Sequence, residues 1–178
     1  EHGARATIAR SARRLLLDAA LVDSAAEPYL GAMTGIPYQG SVDAGPQWFL
    51  APLAGYTDIP FRLACRGQGC RYAFTPLIDA GALYHGNRKN VQILARDPSE
   101  EWLGVQLLGN DPLMMGRASA WLCQQPWDRL DINMGCPVRK VTQKGAGAAL
   151  PFDREVALAC VRSVIELADD VPVSVKIR

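Results

Sequence analysis

From Trp48 onward, short apolar runs alternate with amphipathic stretches, with successive runs starting between 23 and 42 residues apart. "WFLAPLAG" (48–55), "RYAFTPL" (71–77), "WLGVQLLG" (102–109), "RLDINMG" (129–135) and "VPVSVKIR" (171–178) each form such a run, bounded by turn residues, and predict buried strands. The segments between them predict helices. Thr57 or Asp58 caps "IPFRLACRGQG", which Gly67 or Gly69 ends. "IDAGALYHGN" and "RKNVQILAR" continue a helical stretch after the second strand. Asp111 and Pro112 open "LMMGRASAWLCQQ" as a cap with proline in the first turn, and Asp153 caps "REVALACVRSVIELA".

Strand–helix alternation of this kind predicts a parallel sheet with crossover helices. Two closures compete, an open doubly wound sheet and a (β/α)8 barrel. The first strand exits through "AGYTD", with no GxGxxG and no phosphate loop, so a dinucleotide fold loses its main support. The expected class is α/β, a (β/α)8 TIM barrel truncated after about five strands, since a whole barrel needs ~250 residues. The absent strands would leave an open edge and an uncovered apolar face, so this chain alone is expected to be unstable or to associate.

Residues 1–46 stand apart as a leader or extension, with 47–178 as the partial barrel domain. "ATIARSARRLLLDAALVDSAA" sets Arg5, Arg10, Arg13 and Arg14 beside Leu15, Leu16 and Leu17, with few acids. That pattern fits an exposed amphipathic helix, a cleavable organelle-targeting segment over residues 1–20, or upstream sequence read through by chance. "GAMTGIPYQGSVDAGP" reads as loop.

Composition narrows the classes. The net charge of +1 gives no global attraction to nucleic acid, though a local basic patch remains open. No apolar run approaches the ~20 residues that cross a bilayer, so no membrane partner is expected. Five cysteines with no CxxC pair fit reduced thiols in a cytoplasmic setting. Cys65 and Cys70 share part of an iron–sulfur spacing, but the remaining ligands do not follow, and no metal is expected.

In a parallel barrel the chemistry sits where strands end. Ala51, Pro52 and Leu53 close the first strand, Thr75 and Pro76 the second, and Gln106 lies on the third. The fourth delivers Asn133 and Cys136, and the fifth Lys176 and Arg178. A thiol, two amides, an ammonium and a guanidinium at one mouth predict a site for a planar, partly anionic ligand.

These segments resemble the tRNA-dihydrouridine synthase family over residues 48–178. "APLAGYTDIPFR", "VQLLGNDP", "DINMGCPVRKVTQKGAGAAL" and "VPVSVKIR" match its motifs in order, with Leu53 where the family usually has methionine. The resemblance implies an FMN-dependent oxidoreductase that reduces the C5–C6 double bond of uridines in tRNA, with NADPH as electron donor. It implies Cys136 as the general acid protonating C5, a role suited to a thiol, whose ordinary pKa of ~8.5 keeps the proton on at neutral pH. Ala51, Pro52 and Leu53 are implied to contact the flavin, Gln106 its pyrimidine edge, and Lys176 its N1 and C2 oxygen. Asn133 is implied to hold the uracil or the flavin, while Arg139, Lys144 and Arg178, with Lys140, meet the tRNA.

Plainer readings stand beside these. Cys136 could be a buried small hydrophobe, Gln106 a structural hydrogen-bonding group, Lys176 a surface lysine, and Arg139 to Lys144 a solvated loop. Cys65, Cys123 and Cys160 fall on helix patterns and are expected in the core; His85 receives no role. The rival functions are a dihydroorotate- or dihydropyrimidine-dehydrogenase-like flavoenzyme acting on a free base, and an inactive truncated fragment.

Overall fold

The structure is a computed structural model that describes residues 48–85 and 91–178. The expected leader over 1–46 and the start of "RKNVQILAR" lie outside the described residues.

Six strands form one parallel sheet: β1 (Phe49–Leu50), β2 (Tyr72–Phe74), β3 (Ile78–Asp79), β4 (Leu103–Leu108), β5 (Arg129–Met134) and β6 (Val173–Ile177). Their order is β1-β2-β4-β5-β6, with β3 pairing the far end of β4, so the sheet is an α/β half-barrel. Between the strands run α1 (Ile59–Gly67), α2 (Ala80–Tyr84), α3 (Pro112–Leu122), α4 (Arg139–Thr142) and α5 (Arg154–Leu167). Two 3-10 turns, Val91–Leu94 and Gly147–Phe152, complete the elements among the described residues.

The three longer crossover helices start where the sequence places caps. Asp58 accepts from the Phe61 amide at 3.1 Å, Asp111 from Met114 at 2.8 Å and Asp153 from Val156 at 3.1 Å. Alternation along β4 and β5 then divides the sheet into two faces. Leu103, Val105, Leu107, Leu130 and Ile132 are all fully buried and join Met115, Leu122 and Val164 of α3 and α5 in the main core. Burying each such side chain contributes about 1.5–3 kcal/mol, so this layer holds the strand ends in place.

The opposite face is built in rows. At the end where the strands begin, Phe49, Tyr72, Phe74 and Trp102 pack in tilted and edge-to-face contacts with ring centroids 5.1–6.1 Å apart. Gly104, in register between Phe74 and Arg129, has no side chain because the Phe74 ring fills that space. The rows above it are polar.

Two sequence expectations change in extent. The first strand shrinks from 48–55 to Phe49–Leu50, because Leu53 starts a turn: its carbonyl accepts from the Tyr56 and Thr57 amides at 3.0 and 3.1 Å. The second splits at Thr75–Leu77, since Pro76 lacks the N–H that would continue the ladder, and β3 resumes beyond it on β4. The five predicted strands thus make up the half-barrel, with β3 a two-residue continuation of the second, while α4 and the 3-10 turn at Gly147 add to the four predicted helices.

Candidate active site

The site begins with β5, where Arg129, Asp131 and Asn133 alternate on the polar face. Register pairs Gln106 with Asp131 and Asp131 with Ser174, making one polar row across three strands; Asn133 and Lys176 form the next row toward the strand ends. Hydrogen bonds join the rows into a chain. Gln106 Nε2 donates to Asp131 Oδ2 at 2.6 Å, and Asn133 Nδ2 donates to Gln106 Oε1 at 2.7 Å. Ser174 Oγ donates to the other Asp131 oxygen at 2.6 Å.

The chain continues into the turn that carries the thiol. Asn133 Oδ1 accepts from the Gly135 amide at 3.2 Å and the Cys136 amide at 2.9 Å, so one side chain shapes the exit of β5. The Cys136 carbonyl in turn accepts from the Ala148 amide at 2.9 Å. Gly147 permits that contact: its φ is +60°, and a Cβ there would lie 2.7 Å from the Cys136 carbonyl oxygen. The glycine-rich "KGAGAAL" is thus a clamp laid across Cys136. On its other side Gly135 adjoins the end of β6, where an added Cβ would sit 3.5 Å from Arg178 Cβ. Cys136 itself is half-buried.

Most sequence-selected residues gather at this end. Gln106 and Asn133 are buried, while Lys176 and Arg178 are exposed. Ala51 is half-buried, Pro52 buried and Leu53 exposed, and their turn is fastened by Thr57, whose hydroxyl accepts from the Leu53 amide and donates to its carbonyl. Arg139 and Lys144 lie exposed on and just after α4; the Lys144 carbonyl accepts from Asn110 Nδ2 at 2.7 Å. Gln106 has both amide ends engaged inside the protein, as its structural reading anticipated.

Asp131 is the residue the sequence reading missed. Burial pushes its carboxyl above the ordinary range, opposed by hydrogen bonds from Gln106 and Ser174 and by the charges of Lys176 and Arg129. The signal was available: an amide buried in a strand needs an acceptor, and Asp131 shares a face with Asn133 two residues on.

Two of the other thiols are unsuited to the same task. Burial pushes Cys123 and Cys160 up to about 11, and both lie on the helix side of the sheet. Of the three cysteines expected in the core, Cys160 is fully buried, Cys123 is half-buried and packs against the core, and Cys65 is half-buried on α1. No group of three or more His, Cys, Asp or Glu among the described residues could hold a metal. No helix among them is long and apolar enough to cross a membrane. A groove of about 490 Å³ between Leu94, Trp121, Pro126 and Trp127 lies where strands begin; Arg96 on its wall already donates to Glu100, Glu101, Pro126 and Asp128.

Comparison with known proteins bears on the same residues. The family described as Dihydrouridine synthase (Dus) matches residues 49–178. The tRNA-dihydrouridine synthase B of Xanthomonas campestris pv. campestris is 34% identical over 139 residues, 78% of this chain and 42% of that protein. That of Pseudomonas aeruginosa is 39% identical over 129 residues, 72% of this chain and 39% of the relative. The "Probable tRNA-dihydrouridine synthase 1" of Synechocystis sp. is 37% identical over 164 residues, 89% of this chain and 44% of that protein. The chain thus spans about two fifths of the length of the curated relatives it matches.

Proposed function

Since the chain belongs to the dihydrouridine synthase family, we propose that it carries the proton-donating side of an FMN-dependent tRNA-dihydrouridine synthase, reducing the C5–C6 bond of uridine with electrons from NADPH. The observation that carries this reading is Cys136, half-buried at the strand ends with its amide held by Asn133 and its carbonyl by Ala148.

The residues present fit a flavin. Lys176 sets an exposed ammonium at the end of β6, suited to the negative charge of a reduced ring. Ala51, Pro52 and Leu53 supply an apolar shelf with a fixed backbone. Gln106 keeps one N–H and one lone pair beyond its two bonds; being fully buried, it meets the ring's pyrimidine edge only after a neighbouring side chain moves aside. FMN, when bound, supplies hydride to C6 of the uracil.

The protein's own part is proton delivery and positioning. Cys136 gives its S–H proton to C5 from the opposite side of the base, and the Asn133 turn keeps the thiol in place while that happens. Asn133 has a second amide proton for the uracil edge or the flavin. Arg139 and Lys144, with Arg178 beside the Gly135 turn, meet tRNA phosphate or base. The target nucleotide must leave its stack to reach them.

In the complete protein, Cys136→Ala is expected to leave flavin content and its reduction by NADPH nearly intact. Dihydrouridine formation in bulk tRNA should fall by about 10²–10⁴-fold, the usual contribution of a positioned acid. Loss of flavin together with activity would make Cys136 structural. Reduction of free uracil in place of tRNA would point to the free-base enzyme instead.

A further inference from the structure

We infer that Asp131 is a positioning residue, the terminal acceptor of a one-way hydrogen-bond chain through Gln106 and Asn133 that fixes the Cys136 turn. Calling that turn catalytic rests on the function proposed above; the chain itself does not.

The argument is one of donor and acceptor polarity. The Gly135 and Cys136 amides can only donate, so the atom of Asn133 facing them must be its oxygen. Asn133 Nδ2 therefore points to Gln106 and requires an oxygen there. Gln106 is then left with its NH2 facing β5, where only an acceptor satisfies it, and Asp131 Oδ2 stands at 2.6 Å. Neither amide can flip without setting donor against donor inside a buried row. Gln106 is wholly buried, and Asp131 and Asn133 are 4% and 6% exposed, so water cannot repair a reversal. Ser174 Oγ holds the second carboxylate oxygen from β6 and keeps the acceptor facing Gln106.

Isosteric exchanges test polarity without changing volume. Gln106→Glu sets two carboxylates against each other. Adding Asp131→Asn restores a donor–acceptor pair in the reverse sense: the amide introduced on β5 donates to the carboxylate introduced on β4, while Asn133 Nδ2 still finds an oxygen. Asp131→Asn alone keeps an acceptor for Gln106 but removes the charge. The readout is iodoacetamide alkylation of Cys136 in the complete protein, followed by peptide mass spectrometry, with the half-buried Cys65 on α1 as internal reference.

Q106E is expected to speed Cys136 alkylation about tenfold relative to Cys65, because the turn loses its anchor. The Q106E/D131N pair should return to within about twofold of wild type, and D131N alone should stay within about twofold. A Q106E rate that is unchanged or slower, or one the pair fails to restore, overturns the inference; so does a D131N shift as large as that of Q106E, which would make the effect one of charge. If Q106E alone does not fold, folding of the pair is the rescue, and its failure to fold also overturns the proposal. Dihydrouridine formation by the wild-type protein is measured in parallel. If the alkylation pattern holds without dihydrouridine, the function fails and the chain stands; dihydrouridine without the pattern sinks the chain alone.

Discussion

Gly147 decides where Cys136 can stand. Its positive φ, and the mere 2.7 Å that would separate an added Cβ from the Cys136 carbonyl oxygen, leave no room for a methyl group. Gly147→Ala should destabilise the protein by about 1–3 kcal/mol, read by urea denaturation, and, on the function proposed above, should lower dihydrouridine formation more than flavin content. The importance of Gly147 was legible only as a glycine-rich segment following the cysteine; that it touches the cysteine was not. A turn residue announces its own backbone freedom but not its neighbour. Gln106 is the converse case: an amide inside an apolar strand announces a need for a partner, and the partner itself, Asp131, lies 25 residues away in sequence.

Among elements, α1 is tied to the entry of β4 through a buried ion pair. Arg62 Nε donates to Glu100 at 2.8 Å and its Nη2 to the other carboxylate oxygen at 2.8 Å, both side chains being 0% exposed. Arg62 Nη1 also donates to the Thr57 carbonyl at 2.7 Å, so the pair reaches the turn that shapes Ala51 to Leu53. Arg66 adds a further contact to Glu100. Glu100→Ala should cost about 3–5 kcal/mol in denaturant unfolding, since it strands a buried guanidinium. Burial alone would raise the Glu100 carboxyl; hydrogen bonds from Arg62, the Asp97 amide and Arg66 outweigh it and hold it below the ordinary range. A carboxyl lowered on folding contributes stability that is complete above its unfolded value, about 4.3, and is lost as pH falls through its folded value. The urea midpoint should therefore drop on acidification through that window in wild type, and drop less in Glu100→Gln. Asp131 acts in the opposite sense, because its raised carboxyl penalises the folded state as pH climbs past the unfolded value, and Asp131→Asn should flatten that limb. The caps at Asp58, Asp111 and Asp153 were legible because a cap is a local event; Arg62 with Glu100 was not, being 38 residues apart.

For the whole molecule, β6 is the exposed side of the half-barrel. It pairs with β5, and Val175 and Ile177 remain 39% and 70% exposed on the face that is apolar along β4 and β5. A preparation of residues 1–178 should therefore associate in size-exclusion chromatography at micromolar concentration. A monomeric preparation would contradict this. The sequence by itself determined the parallel α/β architecture, the longer helix starts, and the position of Asn133 and Cys136 at a strand end. Each of these follows from periodicity, capping chemistry or motif order over a few neighbouring residues. Only the tertiary structure decided that Asp131, Gln106 and Asn133 form one directed chain and that Gly147 clamps the thiol. Those facts depend on register between strands, which brings residues far apart in sequence within hydrogen-bond reach.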